Sequence, residues 1–351
     1  MYHKVHPLEF ENDLFFLKAN GYRTVKADEL YLYLKNGIQD ENVIALTFDD
    51  GHRSLWLTAY PLLKKYKMHG IAFVIPSRIE HIEKRYISAR FNSRMFNRMN
   101  NTPGVCSWEE LEEMQSSGYL DIQSHSYYHA LVFQSPQIVD FISPSHFNGF
   151  DNRSSNILVK INDKNILLGK ESFGAPIYEH RPLLNSDKIY YDDEDFRSDC
   201  IHFVKSMGKD FFTDASWRNK MWEFVHTKYP NNIAQKGFID TKMEDLIEYD
   251  VSHSKMMIEK KLKNKVEHFC FPFGAANNIS MSCIERSNFK VFYEVRGFDN
   301  EINYKKFRLT MFPVARYNGD KGDAFKVLGF KSKLFYYTFN KLCKVHKHLL
   351  R

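Results

Sequence analysis

The sequence has few cysteines and no long apolar run. Its five cysteines form no Cys-x-x-Cys pair, which argues against a disulfide framework and against a cysteine-rich structural zinc site. No stretch of about 18 consecutive apolar residues occurs, so the sequence predicts no membrane-spanning helix. No apolar signal core follows Met1, because polar and charged residues begin at once. These absences predict a reducing, cytoplasmic setting.

The chain has only a small excess of positive over negative charge, with 49 Lys and Arg against 43 Asp and Glu. A net charge of +6 over 351 residues, without a concentrated basic stripe, does not indicate a nucleic-acid-binding protein. Basic residues collect in 321–351, where they alternate with Leu, Phe and Tyr. This basic amphipathic C-terminal segment suits a helix that packs on its own domain, which we favour, or peripheral contact with an anionic inner membrane face.

Aromatic residues are abundant. With 30 Phe, 20 Tyr and 43% hydrophobic residues overall, the chain can bury one large core with insertions or two smaller cores. Aromatic rings also stack on sugars, but most of these rings are expected in the core.

An alternation of strands and helices marks the first part of the chain. Residues 43–48 are predicted to form one buried strand, 54–67 a helix and 71–75 the next strand. A second helix is predicted from Trp108 to Ser117, with Ser107 as its N-cap, and a strand follows at 120–123. The β-α-β order predicts a parallel sheet or barrel. The same pattern resumes with a helix at 242–262 and a strand at 266–271.

The region 135–239 breaks this alternation. Residues 157–168 resemble a hairpin around Asn162-Asp163-Lys164, and helices are predicted near 194–206 and 216–228. We interpret the region as an insertion or subdomain over the active face.

Two carboxylates stand side by side at the end of a predicted strand. Asp49 and Asp50 repel each other unless a cation or hydrogen bonds offset their charge, and the carboxyl ends of parallel strands are where active sites gather. Asp also caps helices, so this pair alone leaves function and capping equally open.

Two histidines follow another predicted strand. His125 and His129 are four residues apart, so their imidazoles can converge on one metal ion if the segment is either a helical turn or a tight loop. The chain has 15 histidines, and such spacing alone is weak evidence. Two pairs of possible ligands at the ends of two strands make a metal site the better interpretation.

Three short segments resemble the motifs of a known family. Residues 47–51 (Thr-Phe-Asp-Asp-Gly) resemble the first motif of the polysaccharide deacetylases, the NodB-homology family or carbohydrate esterase family four. Residues 124–129 are similar to its second motif, His-Ser/Thr-x-x-His, and 271–274 resemble its third in the Pro-Tyr-Gly form, with Phe273 in place of Tyr. The resemblance covers about 1–134 and 240–316 and is greatest to the branch that acts on poly-N-acetylglucosamine.

The resemblance implies a fold and a domain layout. We expect an α/β distorted (β/α) barrel, often seven-stranded in this family, with a large insertion between the second and third motifs. The barrel would take 1–134 and 240–320, the insertion 135–239, and the basic segment 321–351.

The resemblance also implies roles for individual residues. Asp50, His125 and His129 would hold one divalent metal, usually Zn, with Co, Ni or Mn as alternatives. Asp49 would be the general base that takes a proton from water. The substrate and the oxyanion would be contacted near the third motif, at Pro272, Phe273 and Gly274.

The proton donor departs from the commonest family pattern. Many members use a late Leu-x-x-His, but His346 and His348 lie in the lysine-rich tail. Residues 2–5 (Tyr-His-Lys-Val) instead resemble the Tyr-His-x-Val opening of the poly-N-acetylglucosamine branch, so His3 is the favoured donor. His3 could otherwise simply cap the first strand, and His52 and His268 are lesser candidates.

These assignments predict an enzyme. It would remove an acetyl group, N-acetyl in preference to O-acetyl, from a hexosamine-containing glycan or glycan precursor. Two alternatives remain: a catalytically weak glycan-binding protein on the same fold, and a related metal hydrolase of another C–N bond, such as a formyl group or cyclic amide. Oligomeric state is left open.

Overall fold

The structure, a computed structural model, describes residues 2–36, 42–79, 104–147, 156–230, 237–295 and 312–316. The predicted basic segment 321–351, with His346 and His348, lies outside the described residues.

Eight α-helices occur in the described part of the chain. They are α1 Pro7–Ala19, α2 Ala27–Asn36, α3 Tyr60–Tyr66, α4 Trp108–Ser116, α5 Glu194–Met207, α6 Trp217–Lys228, α7 Glu244–Leu262 and α8 Asn278–Arg286. A π-helical turn, Leu55–Ala59, leads directly into α3. No helix among the described ranges is both long and apolar enough to cross a membrane.

Fourteen strands are described. They are β1 Arg23–Thr24, β2 Val43–Ile44, β3 Thr47–Phe48, β4 Gly70–Val74, β5 Leu120–Ser124, β6 Leu131–Phe141, β7 Leu158–Ile161, β8 Lys164–Leu167, β9 Pro176–Pro182, β10 Ile189–Tyr191, β11 Phe238–Asp240, β12 His268–Cys270, β13 Val291–Val295 and β14 Phe312–Arg316.

The central sheet is parallel. Its six strands lie in the order β14-β13-β12-β5-β4-β3, and Tyr2 adds a single parallel bridge to Phe48 at the β3 edge. Helices α3, α4 and α8 connect neighbouring strands, as parallel pairing requires. The predicted α/β fold with a parallel β/α sheet is confirmed. The described part of the central sheet has six paired strands and the one-residue bridge at Tyr2, whereas the family resemblance implied seven strands.

The apolar run 43–48 is not one strand. β2 pairs with β1 in a separate two-stranded sheet, and only β3 joins the central sheet, beside β4. Ala45 and Leu46 carry the chain from one sheet to the other. An unbroken apolar run shows that backbone is buried but not which neighbours it pairs with, and for this reason the one-strand prediction was wrong.

The two faces of the central sheet pack differently. Side chains such as Val74, Ile122 and Phe269 belong to the large core cluster that includes residues of the flanking helices. Phe73 and Tyr293 point to the opposite face, where the apolar side of α2 packs against them. Alternate residues of one strand therefore face two cores, which is the period-two pattern of a sheet covered on both sides.

The middle of the chain builds a second core. β6 and β9 pair antiparallel, and residues of these strands, of β7 and of helices α5 and α6 share one buried cluster. The predicted hairpin is present as β7 and β8, joined at Asn162 and Asp163. β6 runs through the predicted boundary at 134/135 without interruption. The division into domains stays a prediction.

The helix after Ser107 begins where the sequence indicates. The Ser107 hydroxyl accepts the Glu110 N–H, and the Glu110 carboxylate accepts the Ser107 N–H, which is the reciprocal capping box. The cap fixes where α4 starts, and α4 leads through a short turn to β5, the strand that precedes His125.

Candidate metal centre

Three loops meet at the carboxyl ends of the central strands. Asp49 and Asp50 follow β3, residues 125–129 follow β5, and the turn Pro272–Gly274 follows β12. Since β3, β4, β5 and β12 are parallel neighbours, their carboxyl ends lie along one edge of the sheet. The three segments that resemble family motifs are thereby brought together.

Asp50, His125 and His129 converge on a point. The Asp50 Oδ1 lies 3.3 Å from His125 Nε2 and 3.4 Å from His129 Nε2. This oxygen is buried and, within the described residues, makes no hydrogen bond of proper geometry. One carboxylate oxygen and two imidazole nitrogens form a donor set that suits Zn²⁺ and similar divalent cations. The residues fit a metal ion, and their role as ligands stays a prediction.

The backbone at this point takes unusual conformations. Asp50, Ser126 and His129 have positive φ of 66°, 63° and 53°, which L-residues adopt at a cost. The Ser126 hydroxyl accepts the His129 N–H at 2.9 Å and closes the loop. The four-residue spacing of the histidines therefore comes from a tight loop rather than from a helix, one of the two possibilities that the sequence left open.

Hydrogen bonds orient both imidazoles. His125 Nδ1 lies 2.8 Å from the Cys270 carbonyl oxygen, which can only accept, so Nδ1 donates to it and Nε2 faces Asp50. The Asn156 amide nitrogen lies 3.2 Å from His129 Nδ1. The oxygen of the same amide accepts a hydrogen bond from the Arg78 guanidinium. Residues outside the three motifs thus set the direction of the ligand atoms.

The charges of the three groups depend on burial and on one another. Burial alone would raise the pKa of Asp50, but its close contact with the His125 imidazole and the charge of the neighbouring histidines hold that pKa well below its usual range. Burial lowers the pKa of His129 to about 3, against the attraction of Asp50. Burial also opposes charge on His125, yet Cys270 and Asp50 raise the pKa of His125 well above its ordinary value. An ionised Asp50 and a neutral His129 are the forms that bind a cation.

Asp49 faces a different set of groups. It is buried, and its Oδ2 lies 3.7 Å from the Cys270 thiol and 4.0 Å from His3 Nε2. The segment that carries His3 is fixed to the sheet because the Tyr2 N–H donates to the Thr47 carbonyl and the Asp49 N–H donates to the Tyr2 carbonyl, both at 2.8 Å. The side chain of His3 is 34% exposed, so His3 lies between the buried Asp49 and solvent.

The two other histidines considered from sequence lie in different surroundings. The Ser54 N–H donates to His52 Nδ1 at 3.1 Å, and burial with Lys4 nearby lowers the pKa of His52 to about 4. His268 is buried in β12 beside the Tyr293 hydroxyl, and burial lowers its pKa to about 3. Neither has the partial exposure of His3.

The third segment packs on the second. The Phe273 ring lies 4.4 Å from the His129 ring, centroid to centroid, at an angle of 60°. Phe273 and Gly274 both have positive φ, 57° and 64°, in the short turn after Pro272. The Gly274 N–H already donates to the Phe271 carbonyl. This turn therefore presents an aromatic ring to the candidate centre, while its Gly274 amide is occupied.

Sequence reasoning missed four residues around this centre. Arg78, Asn156, Cys270 and Asp250 each contact one of the groups above or the loop that carries them. Only Cys270 adjoins a recognised segment. Asn156 lies in the region interpreted as an insertion. Arg78 follows β4 and Asp250 lies within α7, and no motif marks either residue.

Comparison with known proteins agrees with the first two segments. The family model described as "Polysaccharide deacetylase" matches residues 36–166, which include the first two segments. That stretch of the chain is therefore similar to the polysaccharide deacetylase family. The resemblance inferred from the motifs is thereby confirmed.

Individual relatives match shorter stretches. A putative polysaccharide deacetylase of Bacillus subtilis, YxkH, is 39% identical over 74 residues, which are 21% of this chain and 26% of that protein. A poly-β-1,6-N-acetyl-D-glucosamine N-deacetylase of Staphylococcus epidermidis is 27% identical over 124 residues, 35% of this chain and 37% of that protein. The chain therefore covers well under half the length of these relatives.

Solved structures of other proteins resemble the chain over most of its length at low identity. IcaB from Ammonifex degensii aligns with 91% of this chain and 90% of its own, at 15% identity and a TM-score of 0.49. A de-N-acetylase from Aggregatibacter actinomycetemcomitans aligns with 87% and 81%, at 16% identity and a TM-score of 0.46.

Proposed function

We propose that the chain is a metal-dependent deacetylase that removes an acetyl group, N-acetyl in preference to O-acetyl, from a hexosamine-containing glycan or glycan precursor. The observation that carries the proposal is the convergence of Asp50, His125 and His129 beside a separate buried carboxylate, Asp49, in a chain whose residues 36–166 match the polysaccharide deacetylase family model. The relative named for poly-β-1,6-N-acetyl-D-glucosamine supports the choice of substrate class.

Asp50, His125 and His129 would hold the divalent cation, for which Zn²⁺ is our first choice and Co²⁺, Ni²⁺ and Mn²⁺ are alternatives. When bound, such a cation lowers the pKa of water and polarises a carbonyl oxygen. The buried Asp50 Oδ1 supports this assignment, because a buried acceptor without a hydrogen bond is costly unless a cation satisfies it.

Asp49 would serve as the general base. It is buried next to the ligand set without belonging to it, so its carboxylate is left to accept the proton of the attacking water. The water oxygen adds to the acetyl carbonyl carbon, the C–N bond breaks, and acetate and the free amine are released.

His3 would give the proton that the departing amine nitrogen needs. Its partial exposure and its 4.0 Å distance to Asp49 favour it over the buried His52 and His268. Phe273, with Pro272 and Gly274, would form the wall against which the acetyl group lies, and a backbone N–H of this turn would face the developing oxyanion.

Acetate release from N-acetylglucosamine oligomers tests the proposal. Metal-free protein would be reloaded with Zn²⁺, and wild type would be compared with Asp49→Asn and His3→Gln. We expect each change to lower kcat by about 10² to 10⁴ while the bound zinc is retained, because general acid–base groups contribute on that scale. The surface change His226→Gln is the control and should leave kcat unchanged.

Each other outcome has a definite meaning. Unchanged acetate release in Asp49→Asn protein contradicts the mechanism. Oligomer binding without turnover by wild type selects a glycan-binding protein. Turnover only of formyl or cyclic amide substrates selects another C–N hydrolase. The cytoplasmic setting and contact with the membrane stay predictions.

A further inference from the structure

A buried acid on helix α7 lies directly beneath the second motif. Asp250 has no exposed surface, and its Oδ1 accepts the Tyr128 N–H at 2.7 Å. Its backbone carbonyl accepts the Tyr127 N–H at 3.1 Å. One residue of the helix therefore takes up two successive N–H groups of the loop between His125 and His129.

A second contact lies one helical turn further along. The Ser254 hydroxyl is 2.7 Å from the Ser124 hydroxyl, and both are fully buried. Ser124 is the last residue of β5 and immediately precedes His125. Positions 250 and 254 share one face of α7, so the helix contacts the second motif on both sides of His125.

The loop needs such support because its backbone is strained. Ser126 and His129 hold positive φ, which costs about 1 kcal/mol or more for each residue that is not glycine. β5 fixes His125 directly, but His129 lies four residues beyond the strand. The path between them, and with it the distance between the two Nε2 atoms, depends on where the Tyr127 and Tyr128 N–H groups are bonded.

The choice of an acid also argues against simple packing. An apolar residue would fill the space under the loop without the cost of burying a carboxyl, but it would leave the Tyr128 N–H without an acceptor. The other carboxyl oxygen, Oδ2, is buried and lacks a hydrogen-bond partner among the described residues. The Oδ1 contact therefore directs the side chain toward the loop, and the Ser126 side chain of that loop also interacts with the carboxyl.

We infer that Asp250, assisted by Ser254, is a positioning residue that fixes the separation of His125 and His129 and thereby sets the affinity of the candidate centre for its cation. This inference rests on the proposed function, since it concerns the same ligand set.

Zinc binding to the metal-free protein tests the inference without an activity assay. The dissociation constant for Zn²⁺ would be measured by competition with a chromophoric chelator for wild type, Asp250→Ala and Asp250→Asn. We expect Asp250→Ala to bind Zn²⁺ at least about tenfold more weakly, as loss of outer contacts to metal ligands typically does. Asp250→Asn should bind nearly as wild type, because its amide oxygen still accepts the Tyr128 N–H.

The control is Asp245→Ala, an exposed acid on the same helix, which should leave Zn²⁺ affinity unchanged. Circular dichroism and thermal unfolding without metal establish that each variant is folded. If Asp250→Ala does not fold, Asp250→Leu replaces it with the same expectation, because it keeps the volume and removes the acceptor.

The outcomes separate the inference from the proposed function. Wild-type protein that binds no Zn²⁺ overturns both. Wild-type protein that binds Zn²⁺ no more tightly than folded Asp250→Ala or Asp250→Leu overturns the inference alone. Equal loss in the Asn and Ala variants also overturns it, since the acceptor would then not be the group that matters.

Discussion

Asp49 and Asp50 are adjacent in the sequence, but a turn of the backbone directs their carboxylates toward different groups. Asp50 has a φ of 66° and points Oδ1 at the two imidazoles, whereas Asp49 points toward the Cys270 thiol and His3. A strand alone would send consecutive side chains to opposite faces. The turn at Asp50 instead brings both acids to one centre with different neighbours, which is what different chemical roles require.

Gly51 is where this turn requires glycine. Its φ is 64°, and a Cβ there would lie 3.2 Å from the Val74 Cγ1 of β4. We expect Gly51→Ala to lower the free energy of unfolding by about 1–3 kcal/mol, from the left-handed backbone and the close contact together. Urea denaturation of the metal-free protein measures it.

The matched control is Gly21→Ala. Gly21 has a similar φ of 73°, but no heavy atom lies within 4 Å of the position of its Cβ. It shares the backbone cost and lacks the contact, so Gly51→Ala should be the more destabilising change. Equal effects would show that Val74 moves away freely.

Asp13 gives stability a dependence on pH away from the candidate centre. Burial raises the pKa of Asp13 to about 7, although the Tyr2 hydroxyl donates to it at 2.8 Å. The folded state then holds a proton that the unfolded state releases near pH 4, so stability from this group falls as pH rises from about 4 to 7. Asp13→Asn stays neutral and should lack this fall.

Urea denaturation at pH 5 and pH 8 measures that difference. Relative to wild type, Asp13→Asn should gain about 1–3 kcal/mol at pH 8 compared with pH 5. A gain that is the same at both pH values would mean that Asp13 is ionised throughout. All other titrating groups are shared by the two proteins and cancel.

At the scale of elements, the hairpin of β7 and β8 turns on two residues in the left-handed region. Asn162 and Asp163 have φ of 47° and 60°, the conformation of a type I′ turn, in which glycine is preferred at the second position. Asp163→Gly should therefore raise the free energy of unfolding by about 0.5–1 kcal/mol. A decrease in the urea midpoint of Asp163→Gly would contradict the turn assignment. Asn165→Gly, inside β8, serves as the contrast and should lower the free energy of unfolding.

Elements with strong local signals were predictable from sequence. The Ser107 capping box, the hairpin around residues 162–163 and helices α5, α6 and α7 lie within a few residues of their predicted bounds. Each carries its signal in neighbouring residues: a cap, a turn pair or an apolar period.

Pairing over long distances was not predictable. Nothing in the run 43–48 shows that its two halves join different sheets, because that depends on Arg23 and on β4. The long strand β6 was missed since its partner, β9, lies about 40 residues away.

The residues of the candidate site also differ in whether the sequence could predict them. Asp49, Asp50, His125 and His129 could be selected because they end predicted strands and form recognisable motifs. Asp250 and Arg78 could not, because their importance comes from contacts between distant parts of the chain. Motifs identify the groups that meet a ligand, while the groups that orient them are a property of the fold.

At the scale of the whole molecule, two cores meet at the candidate centre. Phe271 belongs to the large cluster around the central sheet, and Phe273, two residues later, packs with the second cluster built around β6 and β9. Asn156, from the middle region, reaches His129. A cation held here would therefore tie loops of both regions together.

Binding of such a cation should stabilise the folded chain through mass action. Zn²⁺ that binds only the folded state adds about 2.7 kcal/mol when its free concentration is 100 times the dissociation constant. We expect the Tm of wild type to rise with Zn²⁺ concentration and that of Asp50→Asn to rise far less, because the amide supplies a much weaker ligand. His226→Gln, an exposed change, should follow wild type.

An equal rise of Tm in Asp50→Asn would place Zn²⁺ elsewhere. The described residues contain one alternative cluster, Asp49, His125 and Cys270, whose ligand atoms also lie within 4.8 Å of one another. Cys270→Ala then decides between the two. It should leave the rise intact if Asp50, His125 and His129 bind the cation, and remove most of it if the thiol is a ligand, since loss of one of three protein ligands weakens binding far more than loss of a neighbouring contact.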